Sequence, residues 1–273
     1  MDKGPIGVFD SGYGGLTILK DIRRMMPEYS YIYLGDNARA PYGTRSFDVV
    51  YQFTLEAVKA LFDMGCPLVI LACNTASAKA LRNIQQTDLP AMEPGLRVLG
   101  VIRPTAEVIG DISRNGHVGI LGTEGTVSSR SYDMEISKIS PDFTVTSVAC
   151  PMWVPLVENN EAAEEGADYF VSKYVNELLD KDPGIDTIVL ACTHYPILYP
   201  KIRKVVPGHI KVVKQGEIVA ESLMDYLRRH PEMQQRLLTD GVCRYFTTEN
   251  PEKFNGLASL FLDEKVDVSH IDL

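Results

Sequence analysis

Among the side chains able to do chemistry, the cysteines stand out: Cys66, Cys73, Cys150, Cys192 and Cys243. Their odd number and the lack of any C-x-x-C pair argue against a disulfide framework and against a structural zinc site. Two of them share a setting. Val69-Ile70-Leu71-Ala72-Cys73-Asn74-Thr75 and Ile188-Val189-Leu190-Ala191-Cys192-Thr193-His194 each run from an apolar stretch into a cysteine followed by amide, hydroxyl or imidazole groups. A thiol where a strand turns into a helix meets free N–H groups and a positive dipole end, which lower its pKa from about 8.5 toward neutrality. The same N–H groups, with the hydroxyl of Thr75 or Thr193, can hold a carboxylate. A thiolate beside a bound carboxylate suits proton abstraction next to it. Inverting a stereocentre needs a base on one face and an acid on the other, and a matched pair of thiols supplies both.

A lone cysteine after an apolar strand is ordinarily a small buried hydrophobe, so it is the repetition that singles out Cys73 and Cys192. Cys66 and Cys243 lack such polar neighbours, and Cys150 precedes Pro151; all three read as packing residues. Asp10 ends an otherwise apolar run, where it either caps the next helix or relays a proton near Cys73. His194, two residues beyond Cys192, could relay a proton on the other side, titrating near neutrality. Gly12-Tyr13-Gly14-Gly15 lacks both the Lys-Ser/Thr ending of a phosphate loop and the G-x-G-x-x-G spacing, so it reads as a tight turn.

The elements that must position these groups alternate along the chain. Ile6–Phe9, Tyr31–Leu34, Pro67–Ala72, Val118–Leu121, Thr144–Val148, Thr187–Ala191, Lys211–Val213 and Cys243–Thr247 have strand character. Leu16–Met26, the stretch from Ser46 to Gly65, Thr75–Ile84, Ser129–Ile139, Ala162–Leu179, Glu217–Arg229 and Glu252–Leu262 have helical spacing. That order predicts an α/β fold with mostly parallel sheets covered on both faces. Ile6–Ser11 aligns with Val118–Thr123 and Val69–Thr75 with Ile188–His194, which predicts two pseudo-symmetric α/β units. In parallel sheets ligands bind at the carboxyl edge of the strands. If the two edges face each other, Cys73 and Cys192 approach one cleft from opposite sides.

Composition narrows the partner. The 273 residues suit one large or two smaller domains, and 45% apolar and 23% charged content is that of an ordinary globular chain. With 27 Lys and Arg against 36 Asp and Glu, the net charge of −9 and the lack of a basic run argue against nucleic acid as the main substrate. Apolar runs stop far short of the ~20 residues that span a bilayer, and the start Met1-Asp2-Lys3-Gly4-Pro5 leads straight into a strand-like run. The expectation is a cytoplasmic protein without a signal peptide or membrane partner.

Taken in order, Phe9-Asp10-Ser11-Gly12-Tyr13-Gly14-Gly15-Leu16-Thr17, Gly35-Asp36 with Ala40-Pro41-Tyr42-Gly43-Thr44-Arg45, Ala72-Cys73-Asn74-Thr75-Ala76-Ser77, Thr123-Glu124-Gly125-Thr126-Val127, Pro155-Leu156-Val157-Glu158 and Ala191-Cys192-Thr193-His194-Tyr195-Pro196 form a specific set. The chain resembles the glutamate racemases of the aspartate/glutamate racemase superfamily. The resemblance implies cofactor-independent interconversion of L- and D-glutamate, with D-glutamate supplied to peptidoglycan synthesis, in a homodimer that needs no metal. It implies Cys73 and Cys192 as the acid/base thiols, Asp10 and His194 as their supporting groups, and Glu158 behind His194. It places Asp10, Ser11, Tyr42, Gly43, Asn74, Thr75, Thr123, Thr193 and His194 at substrate-binding positions. It also implies one unit over 1–98 and 210–273 and a second over 99–209, with the active site in the cleft between them.

Three departures from the family pattern affect packing and access rather than the thiols. Arg103-Pro104-Thr105 replaces an uncharged residue and Pro-Gly, Lys214-Gln215 replaces the common Asp-Ser, and Tyr13 replaces an aliphatic side chain. Among alternatives, an aspartate racemase typically carries Glu where this chain has His194. An amidase using Cys73 as nucleophile and His194 as base would leave Cys192 without a role. An amino-acid-binding regulator would not require two thiols.

Overall fold

The computed structural model describes residues 3–262 and 264–273. It contains a six-stranded and a four-stranded sheet, and every pairing between named strands in both is parallel. In the first, β1 (Ile6–Asp10), β2 (Tyr31–Gly35), β3 (Leu68–Leu71) and β4 (Arg97–Gly100) lie in the order β2-β1-β3-β4. In the second, β5 (His117–Gly122), β6 (Thr144–Ala149), β7 (Thr187–Ala191) and β8 (Lys211–Val213) lie in the order β6-β5-β7-β8. The orders coincide strand for strand, so the aligned segments Ile6–Ser11 with Val118–Thr123 and Val69–Thr75 with Ile188–His194 occupy equivalent places. Two late strands, β9 (Cys243–Thr247) and β10 (Val268–His270), extend the first sheet beyond β2.

Burial on both faces explains the uninterrupted apolar strands. On β1, Ile6 and Val8 enter one core layer and Phe9 the other; on β3, Leu68 and Ile70 alternate in the same way with Val69 and Leu71. One layer continues from Ile6 and Val8 to Leu121, Trp153, Leu190 and Tyr195, so a single apolar core joins the two sheets. Helix Phe47–Asp63 covers the outer face of the first sheet and starts with Ser46 accepting a hydrogen bond from Val49 N. Helix Ile102–Ile112 packs with Ser131–Ile139 against the second.

Neither expected unit boundary coincides with the sheets. Position 98/99 falls inside β4, which pairs residue for residue with β3 of the first sheet, and β8, assigned by sequence to the first unit, pairs with β7 of the second. The chain crosses after Gly100 and returns after Val213. Short strands mislead here: β8 has three residues and β4 has four, one of them an exposed Arg, too few for periodicity to reveal a partner. The run expected as one helix over 75–84 is interrupted, with Asn74–Lys79 followed by Leu81–Asn83 and a wide turn over Ile84–Asp88. No described helix is long and apolar enough to cross a membrane.

Candidate active site

β1 ends in Asp10, whose side chain is buried and accepts a hydrogen bond from Gly12 N at 2.8 Å. Burial raises the proton affinity of this carboxyl, while the charge of His194 and the N–H groups of Gly15 and Gly12 partly offset the rise. Ser11 follows, its hydroxyl 3.4 Å from Cys73 Sγ. Cys73 caps helix Asn74–Lys79, its sulfur accepting from Ala76 N at 3.4 Å. A strand-to-helix turn taken alone would lower the thiol pKa. Instead burial, followed by the Asp10 carboxylate, pushes it up to about 12, against the Ser11 hydroxyl and Ala76 N–H. Desolvation outweighs one N–H from a helix of six residues.

Around Cys192 the partners differ. Its Sγ lies 3.9 Å from His194 Nδ1, and His194 Nε2 lies 2.9 Å from Glu158 Oε1. Burial works against an imidazolium at His194, yet the hydrogen bonds to Cys192 and Glu158 prevail and push its pKa up to about 10. Glu158 is the last residue of helix Trp153–Glu158, which Trp153 anchors by packing edge-on against Tyr195 at 4.7 Å between ring centres. Cys192 is also close enough for its charge to add to the raised proton affinity of Cys73.

The two strand edges meet around these thiols. A methyl group on Gly14 would overlap Thr193 Oγ1 and His194 Nδ1, so only glycine permits this approach. Thr17 Oγ1 donates to Thr193 O at 3.0 Å, and the Thr75 and Thr123 hydroxyls lie 2.9 Å apart across the two sheets. Gly125 N donates to Gly43 O at 2.7 Å, joining the 42–45 loop to the start of helix Glu124–Ser128. The structure thus gathers Asp10, Ser11, Gly43, Cys73, Asn74, Thr75, Thr123, Glu158, Cys192, Thr193 and His194 at one junction.

Tyr42 is placed differently from a side chain that would bind a ligand. Its hydroxyl donates to buried Asp36, which also accepts from Arg39 Nε at 2.7 Å and Thr248 Oγ1 at 2.9 Å. It is the next residue, Gly43, whose carbonyl bonds the junction through Gly125 N. Cys66 and Cys150 are buried in the core, where burial pushes the Cys66 thiol up to about 12 and the Cys150 thiol well above its usual range. Tyr13 stacks on Phe261 at 6.2 Å, and Phe261 meets the His194 ring edge-on at 5.5 Å; no motif pointed to that ring. Arg103 pairs with Glu107 at 2.8 Å and lines a cavity of about 740 Å³ that contains neither thiol.

The Asp/Glu/Hydantoin racemase family profile matches residues 15–223. The chain belongs to this racemase family. It is 38% identical to a glutamate racemase of Streptococcus pyogenes over 277 residues, covering all of both chains. A glutamate racemase from Bacillus anthracis superposes with a TM-score of 0.90 at 32% identity, covering 100% of this racemase-family chain and 99% of that one. A glutamate racemase from Francisella tularensis, solved in complex with D-glutamate, gives 0.88 at 29% identity, with 100% and 98% covered. The similarity runs the full length of the two-sheet arrangement.

Proposed function

We propose that this chain interconverts L- and D-glutamate by a two-base mechanism in which Cys73 and Cys192 work from opposite faces of the α-carbon. Full-length similarity to glutamate racemases supports the substrate. The observation that carries the mechanism is the unequal support of two thiols at equivalent strand ends. Cys73 is held in its protonated form by burial and Asp10, whereas Cys192 faces a His194 kept cationic with the help of Glu158. A two-base enzyme needs that asymmetry, one thiolate to accept and one thiol to donate.

In the forward step the Cys192 thiolate takes the α-proton and becomes a thiol, leaving the electron pair on the α-carbon. Cys73 then delivers its proton to the other face and becomes the thiolate. The enzyme ends with proton occupancy reversed, ready for the opposite enantiomer. In the starting state His194 stabilises the Cys192 thiolate and Asp10 favours the protonated form of Cys73. Ser11, Asn74, Thr75, Thr123, Thr193 and the backbone at Tyr42 and Gly43 bind the substrate in this reading. Local N–H and hydroxyl donors hold the anion against the −9 net charge.

The reading includes a cytoplasmic homodimer supplying D-glutamate for peptidoglycan, acting without added metal or pyridoxal phosphate. Circular dichroism of L-glutamate over time tests the activity. The signal should decay to zero as solvent deuterium enters the α-position, with L-aspartate as the control; a constant signal at high enzyme concentration overturns the reading. Cys73→Ser and Cys192→Ser should each abolish full racemisation. Wild-type turnover in either rules out the two-thiol scheme, and a thioester on Cys73 by mass spectrometry would mark a hydrolase.

A further inference from the structure

Asn74, the residue after Cys73, belongs to a closed hydrogen-bonded ring with two side chains from elsewhere in the chain. Its Nδ2 donates to Gln215 Oε1 at 2.6 Å, Gln215 Nε2 donates to the Tyr132 hydroxyl at 2.8 Å, and that hydroxyl donates to Asn74 Oδ1 at 2.7 Å. All three side chains are buried. Proton counting makes the ring directional. Because the Tyr132 oxygen accepts from Gln215, its single proton goes to Asn74 Oδ1, and the Asn74 amide can then face Gln215 only through its NH2 group. The amide cannot flip without breaking two bonds. One N–H of Asn74 stays outside the ring, aimed by it.

Gln215 does more than close the ring. Its Nε2 also reaches Thr105 Oγ1 at 2.9 Å and Val101 O at 3.3 Å. Val101 follows the point where the chain leaves the first sheet, and Gln215 precedes helix Gly216–Arg229, by which it returns. One side chain therefore bonds both crossovers and the residue beside a thiol. A serine in its place would have one hydroxyl on a shorter stem and could not span these partners.

We propose that Gln215, with Tyr132, is a positioning residue that fixes the Asn74 amide for the substrate and ties the setting of Cys73 to the geometry of both crossovers. This deepens the racemase reading and rests on it for the substrate. Glutamate racemisation by the Gln215→Met variant, which keeps volume but loses the ring, tests the proposal together with Tyr132→Phe. Each should raise KM for glutamate about tenfold, the factor lost with one well-made buried hydrogen bond, with a smaller change in kcat. In an Asn74→Ala background Gln215→Met should add nothing further, because its effect passes through Asn74. Losses that multiply in the double variant, or a KM unchanged in both single variants, overturn the proposal.

A second readout does not depend on turnover. Iodoacetamide alkylation of Cys73 in the substrate-free protein, followed by peptide mapping, should quicken severalfold in Gln215→Met while Cys192 keeps its rate. Releasing Asn74 loosens the helix start that Cys73 caps. An unchanged Cys73 rate counts against the proposal even where racemisation is intact. If the wild-type chain fails to racemise glutamate but the Cys73 rate responds, the racemase reading falls and the positioning role stands.

Discussion

His194 Nε2 and Glu158 Oε1 lie 2.9 Å apart, so the imidazole that faces Cys192 is held from behind by a carboxylate. With this support the folded-state pKa of His194 rises to about 10, above the ordinary value of 6.5. A raised cation pKa stabilises the fold fully below the unfolded value, and that contribution is lost as pH climbs through 10. Activity that depends on the imidazolium should fall over the same alkaline range. Glu158→Gln keeps an acceptor but removes the charge, so the alkaline limb of kcat/KM should move to lower pH. A pH profile of the variant that superimposes on wild type refutes this coupling.

At Gly14 the loop after β1 comes close enough to the Thr193-His194 turn that a Cβ would overlap both side chains. Gly14→Ala should therefore force the two edges apart. Overpacking of this kind costs about 1–3 kcal/mol. Thermal melting would register that loss, and kcat should fall by at least tenfold because the displaced groups are Thr193 and His194. Wild-type kcat in a folded Gly14→Ala protein would show that the edges do not need this spacing.

Thr123 serves two structures at once. Its hydroxyl accepts from Thr126 N at 3.2 Å, capping helix Glu124–Ser128, and lies 2.9 Å from the Thr75 hydroxyl. Thr123→Val should cost about 1 kcal/mol for the lost cap. The free Thr75 hydroxyl should also raise KM, since the 42–45 loop docks on the same helix through Gly43 and Gly125. Denaturant unfolding and steady-state kinetics would measure the two effects separately, and Thr75→Val should reproduce only the second.

Tyr42→Phe separates the side chain from the backbone. Its hydroxyl bonds Asp36 rather than the junction, so the loss should appear first in stability, at about 1.5–3 kcal/mol for a hydrogen bond to a buried charged group. KM should rise only as far as the loop at Gly43 shifts. A variant with unchanged stability and no glutamate binding would place the hydroxyl on the substrate instead.

What the chain determines by itself is local. Apolar runs at Ile6–Phe9 and Thr187–Ala191 are buried on both faces and announce central parallel strands. The like endings at Cys73 and Cys192 sit at equivalent strands of two sheets with a shared order, as their alignment suggested. Tertiary structure decided which groups meet. Cys73 owes its high proton affinity to burial and to Asp10, 63 positions away in the chain. Glu158 reaches His194 from a separate helix, and Gln215 closes a ring with residues 141 and 83 positions away. Periodicity reports which face of an element is apolar, through interactions between near neighbours. Desolvation and hydrogen bonding between distant segments depend on how those faces are packed, and packing is a property of the folded chain.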